Sequence, residues 1–210
     1  MWNEQIIMML LEGIKDTLYM TLTSTLIGYV IGLPMGILLT VTDKDGIHPN
    51  AAVYKVLDVI ANLIRSVPFL ILLIVLIPFT RFLIGRSYGP TATIVPLVIA
   101  AAPYIARMVE SSLKEVDAGV IEAARSMGAS NFTIVTKVML VEARTSLIVG
   151  ATISLGTILG YSAMAGTVGG GGLGDIAIRY GYTRWQTDIM IVTVILLVIL
   201  FQIFQTIGMK

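Results

Sequence analysis

Lys114-Glu115-Val116-Asp117-Ala118-Gly119-Val120-Ile121-Glu122-Ala123-Ala124-Arg125-Ser126-Met127-Gly128-Ala129-Ser130 is a polar stretch in the middle of an oily sequence, and it continues to about Glu142. Both sides of it are built of segments long and apolar enough to cross a bilayer, which takes about 20 residues of helix. Residues 17–41, 56–80, 90–109, 144–165 and 187–208 qualify. They predict an all-α membrane protein with five transmembrane helices, a single domain over residues 1–210. The second segment is the weakest, because Asp58, Asn62 and Arg65 occupy its first half. A short interfacial helix bearing Ile6, Ile7, Leu10, Leu11 and Ile14 is expected ahead of the first. A charged, structured segment set between spans reads as a surface for touching something in water.

Composition agrees with that class. The chain is 56% hydrophobic and 13% charged, against about a quarter charged in soluble domains. Its mean hydropathy is +0.90. A net charge of +1 supplies no basic footprint for nucleic acid. Without cysteine there are no disulfides or thiolate metal sites. Met1-Trp2-Asn3-Glu4-Gln5 has no positive n-region, so the first span is expected to be retained.

The basic residues orient the chain. With the amino terminus outside, Lys44, Lys55, Arg65, Arg107, Lys114, Arg125, Lys137, Arg144 and Lys210 fall inside, nine against five outside (Lys15, Arg81, Arg86, Arg179, Arg184). That favours amino terminus out and carboxyl terminus in, with the 114–142 loop cytoplasmic. Gly28, Gly32 and Gly36, and Gly156 with Gly160, recur at four-residue spacing and allow close helix packing, most simply within one subunit. Pro34, Pro68, Pro78, Pro96 and Pro103 kink or end helices. Five spans make a small, odd set around a pathway, so a homodimer is expected.

The central loop predicts two short helices. Asp117 caps the first, Val116, Val120, Ala123/Ala124 and Met127 form its apolar stripe, and Gly128 suits the position just past its end. Ser130 caps the second, whose stripe is Phe132, Val135 and Val138/Met139. Glu122, Arg125 and Lys137 are left to water.

Glu122-Ala123-Ala124-x-x-x-Gly128, nine intervening residues, then Val138-Met139-Leu140-Val141 resembles the cytoplasmic Glu-Ala-Ala loop of bacterial ABC importer permeases. Val stands where that family carries Ile, and Val141 where it carries Pro, which bears on how sharply the chain turns into the fourth span. The resemblance implies the type I ABC importer permease fold. It also implies a coupling helix that docks on a separate ATP-binding cassette ATPase through Glu122, Ala123, Ala124 and Gly128. ATP and Mg2+ would then belong to the partner, leaving this chain no cofactor.

Arg65-Ser66-Val67-Pro68 resembles an element of amino-acid permeases, and the run from Gly160 to Asp175 followed by Ile178-Arg179-Tyr180-Gly181-Tyr182 is similar to permeases of methionine ABC importers. That likeness implies a multi-pass homodimer in a bacterial cytoplasmic (inner) membrane, supplied by a substrate-binding lipoprotein. In it Tyr161, Ser162 and Met164 line the translocation path, Tyr161 and Met164 falling one helical turn apart. A permease for another amino acid such as cystine, or a secondary transporter, are the alternatives.

The glycine run lacks the lysine of a P-loop. It reads either as a flexible outer loop or as a hinge or gate at Gly166, Gly169 and Gly170. Arg65 could bind a substrate carboxylate, snorkel, or pair with Asp58, and is taken as structural or gating. His48 stands alone, so no metal site is expected. No Ser/His/Asp set or workable carboxylate pair predicts catalysis. Asp175, Arg179, Arg184 and Asp188 could seat a binding protein or simply be solvated.

Overall fold

The computed structural model describes residues 4–208, and every regular element among them is helical. Met1, Trp2 and Asn3, on which the reading of the amino terminus partly rests, and Lys210, counted on the inner side, lie outside the described residues.

The expected interfacial helix and first span are one helix, α1 (Glu4–Thr42), of 39 residues. At 1.5 Å per residue it is roughly 58 Å long, about twice the hydrocarbon thickness. No proline or glycine pair interrupts the chain between Ile14 and Thr17, so the helix simply continues.

The second expected span is not one helix. It divides into α2 (Ala51–Ser66), α3 (Phe69–Val75) and α4 (Ile77–Ile84), with α2 and α3 bent by 101°. The cause is local. The ring of Pro68 crowds the residue before it, and Val67 duly sits at φ −83°, ψ 125°, outside the helical region. Pro78 then opens α4, where its missing N–H costs nothing.

α5 (Pro90–Lys114) is the most buried of the long apolar helices and packs along α1. The glycine ladder makes this contact possible. A Cβ on Gly32 would stand 2.6 Å from the carbonyl oxygen of Ala102, and one on Gly36 2.5 Å from that of Ala106. These glycines therefore serve packing inside one chain. α9 (Arg144–Ala165) covers the other side of α5, and Gly156 receives Phe201 of α11 (Thr187–Gly208), the least buried long helix.

Between α5 and α9 run α6 (Ala118–Ser126), α7 (Asn131–Thr133), a π-helical turn at Ile134–Met139 and α8 (Leu140–Glu142). After α9, a 3-10 turn at Gly166–Val168, α10 (Gly172–Ile176) and a second π turn at Ala177–Tyr182 lead into α11.

Candidate functional site

At the loop end the predicted caps form. Asp117 accepts from the amide of Gly119 at 2.7 Å, and Ser130 from that of Thr133 at 3.2 Å. Gly128, at φ +82°, donates to the carbonyl of Arg125, and Ala129 donates to that of Ala124, the two bonds of a Schellman C-cap. A Cβ on Gly128 would meet nothing, so backbone conformation and not space calls for glycine there.

The apolar stripes are rotated from those expected. The inward face of α6 is Ala124, buried, with Ile121 packed beside it, while Val120 and Met127 point outward. In the following segment Ile134 and Met139 are buried and Phe132 is 78% exposed. Two anchors account for this. Arg125 donates to the carbonyl of Ile47 at 2.8 Å and so fixes which face of α6 meets the 43–47 loop. The π turn places Ile134 and Met139, five apart, on one side. Val120, Ala123, Met127, Gly128 and Phe132 are exposed, set among Asp117, Glu122, Arg125 and Ser126, which are exposed too. The turn into α9 is made at Ala143 (φ −77°, ψ 0°) without the family's proline.

An ionic chain that sequence reading missed links this end to the bundle. Arg107 pairs with Asp58 and with Glu110 (2.6 Å), and Asn62 accepts from Arg107 at 3.0 Å. Lys114 reaches Glu110 at 2.9 Å and Asp43 at 2.7 Å. α2, α5 and the loop after α1 are thus held by five charged groups, with Glu110 only 5% exposed. The hydrogen bond from Lys114 holds the Asp43 carboxyl below its usual value. Asp58 therefore pairs with Arg107 and not with Arg65. The one sequence signal was Arg107-x-x-Glu110, a charged i,i+3 pair inside an apolar segment.

Within the bundle, the Tyr161 ring stacks on Phe69, centroids 4.4 Å apart and 7° from parallel. Both line a cavity of about 200 Å³ with Arg65, Leu72 and Tyr104. Met164, one turn along, is half-exposed on α9. Ser162 is not brought to this side. It is 1% exposed, donates to the carbonyl of Leu159 at 2.8 Å and faces Thr21 of α1. Residues adjacent in a helix point about 100° apart, so the three cannot share one face.

The glycine run is packed and hydrogen-bonded. Gly170 donates to the carbonyl of Ala165 at 2.9 Å, Gly89 donates to that of Gly169 at 2.9 Å, and the amide of Leu173 reaches the Thr17 hydroxyl at 2.9 Å. Gly166 and Gly170 are buried against backbone, whereas Gly169 has open space around it. Of the four charges beyond it, Asp175 and Arg179 pair with each other at 2.5 Å, and Arg184 lies over the Tyr180 ring. Among the described residues no group of three or more His, Cys, Asp or Glu side chains could hold a metal ion.

Among the described residues, four continuous apolar helices and a broken fifth, around an aromatic cavity and beside a capped loop, have the length and composition of a polytopic membrane component. The family described as the inner membrane component of binding-protein-dependent transport systems matches residues 16–208, and the chain belongs to it. It is 48% identical over 200 residues to a probable D-methionine transport system permease protein MetI of Vibrio cholerae, covering 95% of this chain and 89% of that one. To the D-methionine transport system permease MetI of Escherichia coli K12 it is 51% identical over 164 residues, 78% of this chain and 76% of that one. Its fold matches a chain of an inward-facing MetNI methionine ABC transporter with a TM-score of 0.97 at 49% identity, covering 99% and 96%. An amino-acid ABC transporter matches at 0.79 and 22% identity, a likeness of fold, over 97% and 92%.

Proposed function

We propose that this chain is the permease subunit of an ATP-driven methionine importer, working as a homodimer with a separate ATPase and a substrate-binding lipoprotein. The single observation that carries the reading is the outward apolar set Val120, Met127 and Phe132 beside Glu122, along α6, which is capped at both ends and tied to the 43–47 loop, and the turn that follows it. Apolar side chains held rigidly in water fit a docking surface. Glu122, Ala123, Ala124 and Gly128 form the coupling element: Ala123 permits close approach, Ala124 seats the helix, and Gly128 makes the turn. The names and the close likeness of its relatives support methionine as the substrate.

Tyr161 and Met164 line the path, and the thioether of Met164 offers soft contact to a thioether substrate. Ser162 holds α9 against α1. A hinge in the glycine run falls at Gly169, the member of the three at positive φ, +77°. ATP binding and hydrolysis, with Mg2+, take place on the ATPase. The amino terminus is outside, the carboxyl terminus inside, and the 114–142 loop faces the cytoplasm. Reconstitution into liposomes with its partner ATPase, the lipoprotein and labelled methionine tests the reading. ATP-dependent accumulation is expected; uptake that persists without the ATPase would replace it with a secondary transporter.

A further inference from the structure

Arg65 is one of several cations outside the internal ion pairs, and it is the one that lines the aromatic cavity. It closes α2 two turns beyond Asp58 and shares a cavity with Tyr104, which lies near the midpoint of α5. Arg65 is exposed at the edge of that cavity. The acidic residue best placed on its own helix, Asp58, is occupied by Arg107 and Asn62. Among the described residues no hydrogen bond or ion pair engages Arg65.

The cavity beside it is about 200 Å³, below the 300–1,000 Å³ of drug-sized sites and suited to a small zwitterion. One wall is the parallel Phe69–Tyr161 stack. Another is Tyr104, whose phenol lies 3.3 Å from the Thr157 hydroxyl, which itself donates to the carbonyl of Ile153 at 3.0 Å. We propose that Arg65 binds the α-carboxylate of an amino acid in transit, which rests on the importer reading above. The guanidinium fork matches a carboxylate in bidentate fashion, with Tyr104 lining the same cavity. The side chain then lies along Tyr161 towards Met164. Arg65 thus recognises what amino acids share, and the aromatic wall recognises what distinguishes them.

The test uses the purified permease–ATPase complex and a diazirine analogue of methionine, with crosslinks mapped to peptides of this chain. Crosslinking is expected at residues 65–72 and 161–164, competed by methionine but not by methioninol, whose carboxylate is an alcohol. Arg65→Gln should lower that labelling about tenfold or more, the loss of a charge-assisted hydrogen bond, and Arg65→Lys by less. Complex assembly on size exclusion reports folding, and Arg65→Lys carries the comparison if Arg65→Gln fails to assemble. Labelling unchanged in the variants, or competition by methioninol equal to that by methionine, overturns the assignment. Absence of ATP-driven methionine uptake by the wild-type assembly would instead defeat the importer reading, whatever the crosslinks show.

Discussion

Gly128 and Asp43 each settle one end of the loop's attachment. Gly128 sits at φ +82°, where an added Cβ meets nothing but the backbone itself is strained by roughly 1–2 kcal/mol. Gly128→Val should therefore leave the bundle folded while loosening the end of α6. The expected readout is retained thermal stability of the permease with weakened co-purification of the ATPase; unchanged co-purification and uptake would remove Gly128 from the coupling element. Asp43 works through charge. Its carboxyl is held below the ordinary value of 3.8 by the hydrogen bond from Lys114, so its contribution is present above that pH and lost as pH falls through the lowered value. Thermal unfolding followed from about pH 7 to about pH 3 should show Asp43→Asn less stable than wild type at the upper end, with the gap narrowing as pH falls below 3.8. A constant gap across that range would show that the ion pair does not secure the 43–47 loop.

At the scale of elements, the contact between α1 and α5 distinguishes glycines that matter for space from those that do not. A methyl group at Gly36 would drive into the carbonyl of Ala106 and the side chain of Val109. At Gly150 of α9 it would meet Met108 at 3.5 Å, an ordinary contact. Gly36→Ala is expected to lower the melting temperature in detergent, while Gly150→Ala should leave it level or raise it, since Ala is favoured over Gly in a helix by about 0.5–1 kcal/mol. Equal effects would mean that α1 and α5 can separate freely. Elements were legible in the sequence to the extent that their causes are local. Asp117, Gly128 and Ser130 announce their caps because a cap is settled within four residues. Pro68 carries the break between α2 and α3 in its ring, yet the apolar run on both sides hides it. The pairing of Arg107 with Asp58 spans 49 positions and depends on how two helices cross. Nothing within either segment records it. Nor could the composition of Tyr161-Ser162-Ala163-Met164 tell that Ser162 turns towards Thr21 while its neighbour stacks on Phe69.

For the molecule as a whole, orientation in the membrane is the next measurable quantity, and the lack of cysteine makes it direct. Met127 and Trp185 are both more than 80% exposed, the first in the loop and the second before α11. With the loop cytoplasmic, Trp185→Cys should react with a membrane-impermeant maleimide in intact cells, and Met127→Cys only after permeabilisation. The reverse pattern would invert the topology. The length of α1 has a mechanical meaning. About three-quarters of the way along it, Gly32 is clasped by α5; the amino-terminal part packs near Leu173 and Ile176, and the other end runs into the loop that Arg125 grips. From Gly32 to Leu10 is roughly 33 Å and from Gly32 to Thr42 roughly 15 Å along the axis. Moving as a stiff beam on that fulcrum, the helix swings its far arm about twice as far as its near one, and in the opposite direction. Such a beam would turn a small push at the loop into a larger parting beside the glycine run.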